Sequence, residues 1–274
     1  MDAKLQLRVQ RYGWDAAEPH YEDCWSDVLR AAHDTLLATA HLAPGQEVIE
    51  VACGTGMVTA RVARMVEPGG SVLATDLSDR MVERTKARCL ADGIRSVSAN
   101  RMDAQKLDVA DGTFDVAICA LGLMYVPDTR AAIAEMARVV GPGGAVVVTV
   151  WGERKNCGWA EIFPIVDQQV ASEVCPMFFG LGAPGALRHQ FQEAGLSDIE
   201  EVRQAETMVF PDEQALLRAM IDGGAVALAA KRFTSEARRE VEAEFLASVQ
   251  AFKDGSGAYA IPGEFVTVRG RRTQ

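Results

Sequence analysis

Apolar runs and helical patterns alternate along the middle of the chain. The run Val48–Val51 stops at Gly54-Thr55-Gly56. Apolar residues then recur at helical spacing, at Val58, Val62 and Met65. A short apolar run, a glycine turn and a helical repeat are typical of a strand that leads into a helix. The pattern therefore predicts a βα unit at the start of this region.

The same alternation continues to residue 150. Further apolar runs occupy 71–76, 113–120 and 145–150, and glycine-proline turns at 68–70 and 141–144 precede the first and last of them. Strands that alternate with helical patterns favour βαβ units and a parallel sheet. The sequence thus predicts an α/β fold.

Patterns on either side of this region divide the chain into three parts. An N-terminal arm and helix is expected over 1–45, with the helix from about Trp25 to Ala40, followed by a core over 46–150. After Trp151, glycine, proline and aromatic residues interrupt the alternation, which favours a substrate-covering insertion in 151–185. The remaining expected elements of the third part, 151–274, are helices at 186–195, 212–230 and 235–252 and strands at 197–208 and 264–269, with the second of these helices interrupted at Gly223-Gly224.

The first glycine turn and the second strand carry chemistry that suits a ligand. Gly54 and Gly56 lack a Cβ, so a ligand can lie against the backbone there. The helix behind the turn offers unpaired N–H groups at its N-terminus. Asp76 closes the second apolar run, where its carboxylate is placed to accept both hydroxyls of a ribose. These features predict a site for a nucleoside-containing cofactor.

The spacing of the glycines bears on which cofactor it is. A dinucleotide fingerprint needs G-x-G-x-x-G, and counting from Gly54 the third place is Thr59. Counting from Ala52, the first glycine is missing. The missing glycine argues against a nicotinamide-dependent reductase. That enzyme class stays as one alternative, and a non-catalytic cofactor-binding protein is another.

The block Glu50-Val-Ala-Cys-Gly54-Thr-Gly56 resembles the first motif of S-adenosylmethionine-dependent methyltransferases of the Rossmann-like class. In that family an acidic residue stands four places before the central glycine, as Glu50 does. Ala52 departs from the pattern, because the family usually has glycine there. S-adenosylmethionine has no phosphate, so the third glycine is dispensable.

Four further segments resemble the same family, in the same order, and the pattern is most similar to its ubiquinone/menaquinone-biosynthesis group. The resemblance implies a seven-stranded, mostly parallel sheet with helices on both faces and an antiparallel last strand. It also implies the cofactor S-adenosyl-L-methionine, with Asp76 on the ribose and Asp103 on the adenine amino group. The implied cofactor-binding residues are Glu50, Ala52, Gly54, Gly56, Asp76, Leu77, Met81, Asp103, Ala104, Ala120 and Leu121.

The expected reaction moves a methyl group to O, N or C of a small or medium organic molecule. The cofactor supplies the reactivity, so no catalytic residue is assigned from the sequence. Substrate contacts should come from loops at the carboxyl ends of the strands. The candidates are Tyr21, Tyr125, Trp151 and Glu161. For each of them the alternative is a structural role, in packing for the aromatic residues and on a helix surface for Glu161.

Charge and composition limit the partners. A net charge of −10 argues against a nucleic-acid substrate, which favours a basic stripe. No apolar run approaches the roughly 20 residues of a membrane span, and no secretory signal is visible, so a cytoplasmic location is expected. The six cysteines form no C-x-x-C pair and the four histidines are dispersed, which predicts no metal site. The oligomeric state is left open.

Overall fold

The computed structural model describes residues 3–170 and 178–273. In these residues seven strands form one sheet, in the order β3-β2-β1-β4-β5-β7-β6. Strand β7 runs antiparallel to both of its neighbours, β5 and β6, and the pairs among β1 to β5 are parallel. The expected α/β fold with an antiparallel last strand is confirmed. The strands are β1 Glu47–Val51, β2 Ser71–Asp76, β3 Val97–Arg101, β4 Phe114–Ala120, β5 Val140–Trp151, β6 Leu196–Phe210 and β7 Tyr259–Arg272.

Helices cover both faces of the sheet. The central strands are buried on both sides, since Val48 packs in one apolar cluster and the next residue, Ile49, packs in another. Within the described residues the α-helices are α1 Ala3–Trp25, α2 Arg30–Ala40, α3 Thr59–Val66, α4 Asp79–Ala91, α5 Thr129–Val139, α6 Ile162–Gln169, α7 Ala186–Glu193, α8 Glu213–Leu217, α9 Ala227–Ala230 and α10 Ser235–Ser248.

Side-chain caps fix where several helices begin. The hydroxyl of Ser78 accepts from the Met81 amide at 3.1 Å, and α4 begins at the next residue. The carboxylate of Asp128 accepts from the Ala131 amide at 3.0 Å at the start of α5. Such caps satisfy amides that have no partner within the helix. Both helices therefore start directly after the loops that follow β2 and β4.

The N-terminal part differs from the sequence expectation. The helix expected from Trp25 instead begins at Arg30, and Trp25 ends a preceding 23-residue helix, α1. Polar and aromatic residues obscured this first helix, as did Pro19 in its interior. The long helix forms because its small and aromatic residues pack on the rest of the molecule, as buried Ala16 and Ala17 do against Ala227.

The C-terminal elements also differ in extent. The last strand is 14 residues long rather than six, because β7 pairs along its length with β6. The helix expected over 235–252 ends at Ser248. The segment 212–230 is interrupted at Gly223-Gly224 as expected, and α8 and a π-helical turn at Arg218–Asp222 precede the interruption while α9 follows it. The Gly141–Gly144 turn lies inside β5 as an irregularity, between the pairs Val140–Phe114 and Ala145–Val116. Of the expected insertion at 151–185, residues 171–177 lie outside the described residues.

Candidate functional site

The turn after β1 is built from residues with left-handed backbone. Ala52, Gly54 and Gly56 have φ of 58°, 56° and 80°. Such values suit glycine, which has no Cβ, and are strained for alanine. A Cβ at Gly56 would stand 3.0 Å from the hydroxyl oxygen of Thr85 on α4. The second glycine is therefore required by backbone conformation and by the close approach of α4.

Asp76 joins this turn to the end of β2. Its buried carboxylate accepts from the amides of Gly54 at 2.9 Å and Ser78 at 2.8 Å. Burial raises the pKa of Asp76 to about 6, although these amides act in the opposite direction. The group is consequently ionised at neutral pH, with lone pairs remaining for a ligand's donors.

Glu50 lies behind the turn, on β1. Its side chain is 1% exposed and accepts from the Thr59 hydroxyl at 2.5 Å. Burial raises the pKa of Glu50 to about 8, with a smaller contribution from the charge of Asp76. The residue at the place of the missing third glycine, Thr59, is thus the hydrogen-bond partner of the acidic residue of the motif.

A cleft of about 700 Å³ opens over the carboxyl ends of β1, β2 and β4, and we call it the larger cleft. Of the eleven cofactor-binding residues expected from the sequence, nine line it, while Glu50 and Gly56 do not. The nine are Ala52, Gly54, Asp76, Leu77, Met81, Asp103, Ala104, Ala120 and Leu121. The remaining lining residues are Leu7, Gln10, Trp14, Tyr21, Val51, Met102, Gly122, Tyr125, Val126 and Pro127.

The loops that follow β3 and β4 shape the far side of this cleft. The Asp103 carboxylate accepts from the amide of Gln105 at 2.9 Å and from its side chain at 3.0 Å. Leu121 has a φ of 57°, a strained value for a leucine, directly after β4. A Cβ on the next residue, Gly122, would stand 2.3 Å from the Cβ of Ala52. The loop after β4 and the turn after β1 therefore meet at a contact that leaves no room for a larger residue at Gly122.

A second cavity of about 490 Å³ adjoins the larger cleft, and we call it the aromatic cavity. The two share Trp14, Tyr21, Leu121 and Tyr125. None of the described residues that line the aromatic cavity carries a formal charge. Its other lining residues are Trp25, Leu29, Trp151, Trp159, Ile162, Phe163, Met220, Gly224, Ala225 and Val226.

Three of the four expected substrate contacts lie at these cavities. Tyr21 and Tyr125 stand where the two cavities meet, and Trp151 lines the aromatic cavity. Glu161 is placed elsewhere, since its side chain is 55% exposed and pairs with Arg154 at 3.0 Å. Burial raises the pKa of the Tyr21 hydroxyl well above its usual range, helped by the charge of Asp76. Tyr21 therefore remains a neutral phenol at physiological pH.

The sequence analysis did not predict that several residues of α1 line the larger cleft. Leu7, Gln10 and Trp14 line the larger cleft together with Tyr21. These residues recur at spacings of three, four and seven, which places them on one face of a helix. That spacing was the signal available in the sequence. Further contacts tie the helix to α4, for the Ser78 hydroxyl donates to Asp15 at 2.6 Å.

In residues 3–170 and 178–273, no helix is both long and apolar enough to cross a membrane. The same residues contain no group of three or more His, Cys, Asp or Glu side chains placed to hold a metal ion.

The strand order, the glycine turn after β1 and the carboxylate after β2 define a Rossmann-like protein with a site for a nucleoside-containing cofactor. Residues 48–144 match the family model described as a methyltransferase domain. This part of the chain is therefore a methyltransferase domain of the Rossmann-like, S-adenosylmethionine-dependent class, as its motifs predicted.

Two known proteins are similar to parts of this chain. An uncharacterized protein of Mycobacterium tuberculosis is 35% identical over 125 residues, which cover 46% of this chain and 44% of that protein. A demethylmenaquinone methyltransferase of Bacillus cytotoxicus is 28% identical over 191 residues, 70% of this chain and 74% of the relative. The match to the Mycobacterium protein thus covers less than half of that protein's length, whereas the match to the Bacillus enzyme covers about three quarters of it.

A solved structure shows the same fold. The crystal structure of a putative methyltransferase from Bacillus halodurans superimposes with a TM-score of 0.63 at 20% identity. The superposition covers 89% of this chain and all of that chain. The likeness in fold therefore extends past residue 144, into a part of the chain that the family model does not match.

Proposed function

We propose that the whole chain transfers the methyl group of S-adenosylmethionine to O, N or C of a small, largely apolar molecule that is held in the aromatic cavity. The observation that carries this proposal is the junction of the two cavities at Tyr21, Leu121 and Tyr125. A cofactor in one cavity and an acceptor in the other would meet at these residues. The uncharged lining of the described part of the aromatic cavity favours an uncharged acceptor.

In the proposed arrangement the larger cleft orients the cofactor. Asp76 accepts from the ribose hydroxyls, while Leu77, Met81 and Ala104 pack beside the adenine. The backbone at Ala52 and Gly54 lies against the methionine portion. Glu50 supports the turn from behind through Thr59 rather than contacting the ligand itself.

The remaining task of the protein is alignment. A sulfonium methyl group is electrophilic and leaves behind a neutral thioether, so the cofactor brings the reactivity. The aromatic side chains exclude water and hold the acceptor in line with the methyl group, which contributes through proximity and orientation. Tyr21 can orient either molecule as a hydrogen-bond donor, but its raised pKa prevents it from serving as a base near neutral pH.

The net charge and the state of the cysteines bear on the substrate class and on the compartment of this reaction. The net charge of −10 disfavours nucleic acid as the substrate. Cys24, Cys53, Cys89, Cys119 and Cys157 are all free thiols, as suits a reducing compartment such as the cytoplasm.

Titration calorimetry tests the cofactor assignment, and turnover tests the reaction. S-adenosylhomocysteine should bind to the purified chain at micromolar strength, and NAD should not. With S-adenosylmethionine and a library of acceptors, at least one apolar acceptor should give release of S-adenosylhomocysteine. Tight cofactor binding without turnover on any acceptor would favour a non-catalytic protein, and binding of NAD alone would favour the reductase.

A further inference from the structure

Trp159, which lines the aromatic cavity, has a hydrogen-bond donor without a partner among the described residues. The residue is 4% exposed and lines the cavity, and its indole nitrogen Nε1 is buried without a hydrogen-bond partner among the described residues. Trp25 lines the same cavity, but its indole N–H already donates to the Gly223 carbonyl at 2.9 Å. A buried donor without a partner is costly, and a ligand that accepts from it removes that cost.

Neighbouring rings hold this donor in place. The Trp159 ring lies 4.9 Å from that of Trp151 and 5.7 Å from those of Phe163, Phe178 and Phe179, measured between centroids. These contacts leave the indole little freedom to turn toward another partner. The N–H is therefore preorganised, and an acceptor that reaches it loses little entropy on binding.

Trp159 lines the aromatic cavity but not the larger cleft. The group that accepts from its N–H is thus separated from the junction at Tyr21, Leu121 and Tyr125, where methyl transfer is proposed. The substrate would therefore need one atom that accepts the hydrogen bond from Trp159 and a different atom that receives the methyl group. The flat side chains of the cavity further suit a planar ring, since aromatic pairs are stabilised by edge-to-face and offset contacts.

We infer, on the basis of the proposed function, that the substrate is an uncharged aromatic molecule with a carbonyl-type oxygen that accepts a hydrogen bond from Nε1 of Trp159, and that it is methylated at a different atom. The oxygen selects the substrate and sets its orientation in the cavity. Trp159 is in this sense a specificity-determining residue. A charged substrate would be disfavoured, because the described lining offers no opposite charge to offset its desolvation.

Probe binding to the full chain, saturated with S-adenosylhomocysteine, tests this inference. The probes are 2-acetylnaphthalene, its hydrocarbon counterpart 2-isopropenylnaphthalene and the anion 2-naphthoate. The ketone should bind about threefold to tenfold more tightly than the hydrocarbon, as one hydrogen bond to a buried donor allows. Trp159→Phe keeps an aromatic ring and removes the donor, so it should abolish this difference. Trp25→Phe is the matched control, since it removes an N–H already engaged, and it should leave the difference intact.

The indole N–H resonances of the native protein give a second readout that does not depend on the folding of a variant. The chain has four tryptophans, and triple-resonance assignment of the native protein identifies the signal of Trp159. That resonance should move downfield with the ketone and not with the hydrocarbon. Equal affinity for ketone and hydrocarbon, an unmoved Trp159 resonance, or binding of the anion as tight as that of the ketone would overturn the inference. If S-adenosylhomocysteine binds while these results fail, the inference fails alone; if it does not bind, the proposed function fails too.

Discussion

At Asp76, one carboxylate connects the glycine turn to the end of β2 and faces the larger cleft. Hydrogen bonds to a charged group contribute about 1.5–3 kcal/mol each. Asp76→Ala should therefore raise the dissociation constant of S-adenosylhomocysteine at least about tenfold, as measured by calorimetry. Circular dichroism would establish that the variant is folded. Unchanged affinity in a folded variant would show that Asp76 does not hold the ribose.

The same carboxylate predicts a pH dependence of cofactor binding. The pKa of Asp76 is raised to about 6 in the free protein, and hydrogen bonds from a bound ribose favour the ionised form. Protonation below this pH removes the charge, so affinity should fall as the pH drops through about 6 and level off above it. The Asp76→Ala variant should lack this dependence. A native profile that is flat between pH 5 and 8 would contradict the assignment.

Glu50 should make the free energy of unfolding depend on pH in the opposite sense to a salt-bridged acid. Its pKa is raised from 4.5 to about 8 in the folded protein, so the folded state binds the proton more tightly than the unfolded state. This contribution to stability is present at low pH and is lost as the pH rises through about 8. Glu50→Gln keeps an acceptor for Thr59 and should remove the loss. Denaturant unfolding at pH 5 and pH 8 checks this, and an equal loss of stability in both proteins would contradict it.

Ala52 and Gly122 form a pair whose sizes are matched. The left-handed backbone of Ala52 costs about 1 kcal/mol relative to glycine, so Ala52→Gly should raise the free energy of unfolding by up to that amount. Gly122→Ala should destabilise by about 1–3 kcal/mol, because its new Cβ would stand 2.3 Å from that of Ala52. The double variant should regain more than about 0.5 kcal/mol of the stability that Gly122→Ala loses, beyond the sum of the two single effects. Additive effects in denaturant unfolding would show that the two residues do not interact.

At the scale of elements, α1 connects the two cavities. One face of this helix lines the larger cleft, and Trp14 and Tyr21 also line the aromatic cavity. Besides its apolar packing, the helix is tied to α4 by partly exposed ion pairs, such as those of Arg11 with Asp79 and of Arg88 with Glu22. Exposed pairs of this kind contribute little to stability, so we expect α1 to open more readily than the sheet.

Hydrogen exchange tests this role of α1. Addition of S-adenosylhomocysteine should slow exchange over 3–25, because the ligand would contact the inner face of the helix. With a bound acceptor, slowing should extend to 151–170 and 178–185, which carry Trp151 and Trp159. Helix α10 lines neither cavity and serves as the internal reference. Slowing confined to 50–125 would place the cover elsewhere.

The elements show what the sequence can and cannot predict. The strands of the core were predictable because they are buried on both faces and read as continuous apolar runs, as in 145–150. The extent of β7 was not, since it depends on pairing with β6, which lies far away in the sequence. The aromatic cavity likewise assembles residues from α1, β5, α6 and the segment around α9. Local sequence patterns do not show which distant segments pack together in this way.

For the whole molecule, we predict methyl transfer without a metal ion. Two carboxylates lie on β4 and in the loop after it, and both already have partners: Asp115 accepts from the Glu47 amide at 2.9 Å, and Asp128 caps α5. A sulfonium needs no Lewis acid for activation, so turnover with the first acceptor found should survive excess EDTA. Addition of Mg²⁺ after EDTA should change nothing. Loss of turnover in EDTA that Mg²⁺ restores would instead indicate a chelating acceptor such as a vicinal diol, bound through carboxylates that must first leave these partners.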